Sequence, residues 1–202
     1  MDTTRFLLVR HGQTAWTVER RLQGQTDIPL DELGRRQAEA LRPIVQEFAP
    51  DRVLASPALR ATETAQILSD LRTTFDERLK EANLGSWEGL TPDEIGPVYS
   101  QWRAGHFDPP GAEPRVELVE RVAAALQDES VPAGNVLVVT HGGVIRAALD
   151  ALIGLKTENI VPVSPASLTV VEVTAGDLVQ AKLQHYNLSP SSKNIQLQPE
   201  AR

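Results

Sequence analysis

The chain has 202 residues, 41% of them hydrophobic and 23% charged, with a net charge of −7 and no cysteine. That is room for one domain with a sizeable core, read here as a single unit over residues 1–202. Scattered Lys and Arg argue against a nucleic-acid surface, the missing cysteines exclude disulfides and thiolate zinc sites, and no apolar run suits a signal peptide or membrane span, so a cytoplasmic location is expected.

In chain order, the first expected strand is Arg5–Val9, whose four apolar residues FLLV end at Arg10-His11-Gly12. Such a run suits a strand buried on both faces. A strand that stops at a polar group and glycine, then turns into a helix, places that group at its carboxyl end. Open α/β sheets bind ligands there. Helix Asp31–Phe48 follows, with Leu33, Ala38, Leu41, Val45 and Phe48 on one stripe. Strand Arg52–Ala55 runs through Ser56-Pro57 into helix Ala58–Leu71, whose first turn holds Arg60. The stretch RLKEANLGSWEGL, Arg78 to Leu90, offers two carboxylates, Glu81 and Glu88.

Helix Pro92–Ala104 and the irregular GHFDPPGAEPR read as a small loop-and-helix cap inserted at about 88–115. Helix Val116–Glu129 leads to strand Val136–Thr140, a second apolar run, ending in His141-Gly142-Gly143 and helix Val144–Ile153. Strands Ser167–Val173 and Leu178–Tyr186 flank TAGD and read as a hairpin, before a polar tail expected to fray. The alternation predicts a mostly parallel sheet with helices on both faces, and the hairpin adds one antiparallel strand.

Singly, each motif has a plain structural reading. Either His-Gly unit could be a helix cap, and Arg60 a solvated helix arginine. Together they gain force, because two of the four histidines stand at strand ends and Arg60 at the same sheet edge. Gly12 would let the backbone approach a ligand, and the Arg10 guanidinium suits phosphate oxygens. An imidazole beside a phosphate ester can act as nucleophile and form a phosphoramidate. Cleavage also needs an acid for the departing alkoxide, and that need alone does not choose between Glu81 and Glu88. No HExxH, Walker A or GxSxG motif offers a metal, nucleotide or serine mechanism, and His106 and His185 read as structural.

LVRHGQTAW, RLQGQTDIPLDELGRRQA, ASPALRATETA, KEANLGSWEG and VVTHGGVIRAAL occur here in the order of the five blocks of a known family. Over most of its length the chain resembles the histidine phosphatase superfamily, in its phosphoglycerate mutase-like branch. The resemblance implies a three-layer α/β/α sandwich and no metal or other cofactor. It implies His11 as the phosphorylated nucleophile, Arg10, Arg60 and His141 as the phosphate pocket, and Glu81 as general acid. Gln23 and Gly24 match substrate-pocket positions, and Gly142 one whose N–H faces the phosphate. Thr17 stands where the family usually has an asparagine that helps hold the phosphoryl group.

The mutases of this family carry a longer, more basic insertion than this chain, where Arg103 and Arg115 are its fixed cations. A site that admits water hydrolyses a phosphohistidine, so the short cap favours a phosphatase of small monoesters. Trp87, Tyr99, Trp102 and Phe107 would accept a partly apolar or sugar-like leaving group. A cofactor-dependent phosphoglycerate mutase is the enzymatic alternative and a non-catalytic binding module the distant one. The expected partner is a small phosphate ester, with no nucleic acid and no membrane; a homodimer stays open.

Overall fold

The computed structural model describes residues 3–128, 133–174 and 180–190. Six strands form one sheet: β1 (Thr3–Arg10), β2 (Arg52–Ala55), β3 (Thr73–Phe75), β4 (Gly134–Thr140), β5 (Leu168–Thr174) and β6 (Gln180–Leu188). Their order is β3-β2-β4-β1-β5-β6. The first four are mutually parallel, and β5 runs against both β1 and β6.

Helices are α1 (Ala15–Val18), α2 (Glu32–Gln46), α3 (Leu59–Leu68), α4 (Pro92–Ile95), α5 (Val98–Arg103), α6 (Arg115–Leu126) and α7 (Gly142–Ile153). The layering follows from the period-2 geometry of the strands. Phe6 and Leu8 of β1, with Val136 and Val138 of β4, pack against residues of α6 and α7. Their neighbours Leu7, Val9, Leu137 and Val139 turn to the other face and pack against α2 and α3. Continuous apolar runs therefore make two cores, one on each side of the sheet, and the three-layer α/β/α sandwich is realised.

The chain leaves β1 for α2 on one face and leaves β4 for α7 on the other, although the two strands are direct neighbours. Two adjacent parallel strands whose helices depart to opposite faces open a crevice at their carboxyl ends. Arg10 and Thr140 are paired at that edge, so His11 and His141 both emerge there.

Several expectations need revision. The Pro92–Ala104 helix is two short ones, because Gly96 adopts φ +78° and Pro97 supplies no N–H. The helix expected over Ala58–Leu71 spans Leu59–Leu68. Strand β3 carried no signal, being a three-residue edge strand with Thr74 and Phe75 exposed. The hairpin is present, but residues 175–179, most of its turn and the start of the expected Leu178–Tyr186 strand, lie outside the described residues. So do 191–202, most of the expected tail.

Candidate active site

His11 follows β1 directly and is 3% exposed. Its Nδ1 lies 2.7 Å from the carbonyl oxygen of Gly12. A carbonyl only accepts, so Nδ1 carries the proton and Nε2 keeps the lone pair. Burial, then the Arg10 and Arg60 charges, hold its pKa well below the ordinary histidine value. The result is a neutral imidazole with one nucleophilic nitrogen, among the residues lining a cavity of about 220 Å³.

His141 caps α7 from the end of β4 and is fully buried. Its Nε2 is 2.8 Å from Ser56 Oγ, while Nδ1 is buried without a hydrogen-bond partner. Burial and the cations around it also hold this imidazole neutral. Gly142 is the first residue of α7, so its N–H has no intrahelical acceptor, and it lines the same cavity.

Two arginines complete this inner end. Arg10 donates from Nη1 to Val163 O at 2.6 Å and leaves its buried Nε unpartnered. Arg60, fully buried, donates from Nη1 to Thr26 O at 2.9 Å and from Nη2 to Gly24 O at 2.7 Å. Its Nε is likewise unpartnered. Neither makes an ion pair among the described residues. Burial lowers both pKa values, yet an arginine keeps its charge under such a shift. Two buried cations without an ion-pair partner close to a neutral imidazole are electrostatically suited to an anion, even with Glu81 nearby.

The structure separates the two glutamates. Glu81 lines the cavity, and its Oε2 accepts from Gly143 N–H at 3.0 Å. Its segment is anchored by Thr140 Oγ1 donating to Leu79 O and by Arg121 donating to Glu81 O. Glu88 lies outside the cavity lining. It accepts from the N–H groups of Gln25, Thr26 and Leu84 and from the Thr26 hydroxyl. Glu88 therefore shapes the loop whose carbonyls at Gly24 and Thr26 hold Arg60.

The other expected residues divide in the same way. Gln23 and Gly24 line the cavity, and Gln23 Oε1 is buried without a partner. Thr17 is set apart from the cavity lining. Its hydroxyl accepts from Thr14 N–H and from Gln23 Nε2, closing a capping box and fixing the Gln23 amide. Gly12 is also explained differently: a Cβ there would lie 2.4 Å from Gly34 O, so it is needed for packing against the start of α2. In the cap, Tyr99 and Trp102 line the cavity, while Trp87 and Phe107 stack on each other outside its lining. Sequence reading passed over Ser56 as a site residue, and Arg146, which lines the cavity four residues after Gly142. That spacing, one turn on a helix face, was the available signal.

Residues 6–186 match the family model described as histidine phosphatase superfamily (branch 1). The chain is 34% identical to a glucosyl-3-phosphoglycerate phosphatase of Mycolicibacterium vanbaalenii over 79% of its length and 78% of the relative's. It is 37% identical to a probable phosphoglycerate mutase of Yersinia pestis, over 73% of this chain and 74% of that one. Among solved structures, a mycobacterial glucosyl-3-phosphoglycerate phosphatase superposes with a TM-score of 0.81 at 33% identity. That match covers 93% of this chain and all of the other.

Proposed function

Because the chain belongs to the histidine phosphatase superfamily, we propose that it hydrolyses small phosphate monoesters through a phosphohistidine on His11, without a metal. The observation that carries this reading is the Nδ1 contact of His11 with Gly12 O, which leaves Nε2 unprotonated on an imidazole that feels the charges of Arg10 and Arg60. In the first step Nε2 attacks phosphorus, the bond to the ester oxygen breaks, and Glu81 supplies the proton that the departing oxygen needs. In the second, water attacks the phosphorus, Glu81 takes up its proton, and the N–P bond breaks to release phosphate. Arg10 and Arg60 balance the charge on the transferred group, and His141 and the Gly142 N–H contact it. Gln23 and Gly24 border the substrate, and Thr17 acts through Gln23 rather than on the phosphate.

Tyr99 and Trp102 offer an aromatic wall for the leaving group. Glucosyl-3-phosphoglycerate, the substrate named for one relative, is a fitting first compound to assay. The similarity to a probable phosphoglycerate mutase supports a second reading, transfer of the phosphoryl group to another acceptor. A panel of phosphorylated metabolites assayed for phosphate release separates the two. Hydrolysis gives free phosphate without 2,3-bisphosphoglycerate, whereas mutase action interconverts 2- and 3-phosphoglycerate.

A further inference from the structure

Ser56 follows β2 directly and is fully buried. Because Ala55 of β2 pairs with Val139 of β4, the two strands end side by side, and the Ser56 N–H donates to Val139 O at 3.0 Å. The serine side chain meets the residue that follows β4. Ser56 Oγ and His141 Nε2 lie 2.8 Å apart, although 85 positions separate them in sequence. Oγ has one other contact among the described residues, as acceptor of the Ala58 N–H at 3.3 Å.

Counting protons decides the tautomer of His141. A serine hydroxyl donates once and accepts up to twice, and a neutral imidazole donates from one nitrogen and accepts at the other. If Nε2 carried the proton, Ser56 Oγ would accept from both His141 and Ala58. Its own proton would then have no acceptor among the described residues, and His141 Nδ1 would be a buried lone pair without a donor. If instead the Ser56 hydroxyl donates to Nε2, the hydroxyl is fully used and Nδ1 carries the proton. The group left over is the Nδ1–H, a buried donor on a ring that lies 5.3 Å from that of His11 and feels the charges of Arg60 and Arg10. A buried donor with no acceptor is costly. An oxygen of a bound anion would satisfy it, whereas a bare lone pair would repel that oxygen.

We propose that Ser56 is a positioning residue: it donates to Nε2 and so holds His141 as the Nδ1–H tautomer, whose free N–H donates to an oxygen of the transferred phosphoryl group. The identity of that acceptor rests on the phosphatase reading, and the tautomer rests on Ser56 alone.

The test reads the two ring-nitrogen chemical shifts of His141 in the whole protein labelled with nitrogen-15 histidine, at neutral pH and without ligand. The His141 signals are those missing from His141→Gln. Wild type should show Nδ1 protonated and Nε2 unprotonated. Added inorganic phosphate should move the Nδ1 shift, since it supplies the missing acceptor. In Ser56→Ala both tautomers should be populated, and kcat should fall about tenfold, the worth of one neutral hydrogen bond. The fall should be equal for alkyl phosphates and p-nitrophenyl phosphate, because the N–H serves the transferred group and not the leaving oxygen. A protonated Nε2 in wild type overturns the proposal, a result that needs no variant to fold. So does Ser56→Ala with an unchanged tautomer, or with an unchanged kcat, or with a loss confined to alkyl phosphates. An Nδ1 shift indifferent to phosphate overturns the role given to the N–H. If wild type releases phosphate from no ester, the phosphatase reading fails by itself, and the tautomer and the phosphate titration then decide the part played by Ser56.

Discussion

His11 and His141, separated by 130 positions of sequence, meet edge to face with ring centroids 5.3 Å apart and planes inclined at 62°. Neither is free to turn. His11 is tied through Nδ1 to Gly12 O and His141 through Nε2 to Ser56 Oγ. Each lies close to Arg60 and Arg10, and protonating either would place a further cation in a buried, already positive site. Both are accordingly held neutral, which suits one to attack phosphorus and the other to contact the transferred group.

The acid limb of the pH profile should follow from this. With the His11 pKa held below the ordinary 6.5, kcat/KM should stay high as pH falls through that value and drop only at lower pH. His11→Ala should abolish turnover, and acid-quenched wild type should carry acid-labile label on His11 alone. An acid limb centred at or above 6.5, or label on a serine or aspartate, would contradict the assignment.

Stability should depend on pH with a definite sign. An unfolded histidine takes up a proton below about 6.5, whereas folded His11 and His141 resist doing so. Their contribution is complete above that pH and is lost as pH falls from it toward their lowered folded-state values. Each should steepen the loss by roughly 1.4 kcal/mol per pH unit within that window. Urea unfolding of wild type and His141→Gln at pH 7.5, 6.5 and 5.5 checks this. Parallel slopes in the two proteins would show that His141 is not held neutral.

Glu81 and Glu88 should respond differently to the same substitution. Glu81→Gln should slow alkyl phosphates by roughly 10²–10⁴-fold, the usual worth of a positioned proton donor. It should cost far less with p-nitrophenyl phosphate, whose phenolate leaves without help. Glu88→Gln puts an amide against donors at Gln25, Thr26 and Leu84, and should lower stability by about 1–3 kcal/mol. If Glu88→Gln alone shows the leaving-group dependence, the two roles are exchanged.

Gly24→Ala tests the loop that holds Arg60. Gly24 has φ +51°, and a Cβ there would lie 2.1 Å from Glu88 Oε1. Gly154→Ala is the matched control, since its backbone is left-handed with φ +67° but nothing lies within 4 Å of a Cβ there. Both should carry the left-handed backbone penalty of about 1–2 kcal/mol. Only Gly24→Ala should also raise the inhibition constant of inorganic phosphate. Equal constants in the two variants would uncouple this loop from the phosphate site.

Chelation gives a simple check on where the positive charge comes from. Arg10 and Arg60 supply it in the proposed mechanism, so turnover should survive dialysis against EDTA. Loss of activity restored by a divalent ion would transfer the chemistry to metal-assisted hydrolysis.

Much of this protein was determined along the chain itself. FLLV and VLVV bury both faces of a strand because successive side chains alternate sides, and a polar residue with glycine at each end marks where the strand stops. Those are local properties, carried by transfer free energy and backbone sterics, so the sheet, its two cores and the meeting of His11 with His141 could be expected from sequence. The choice between Glu81 and Glu88 was implied by the family resemblance alone, not by local properties of the chain. It depends on how the segment after β3 is pinned by Thr140 and Arg121, which lie 61 and 40 residues from their acceptors. The same holds for Thr17, bonded to Gln23, for Trp87 and Phe107, stacked outside the cavity lining, and for Arg146, which lines the cavity with Arg103 and Arg115. A side chain's type fixes what chemistry it can offer, but only long-range packing decides which way a loop side chain points and what charge it meets there.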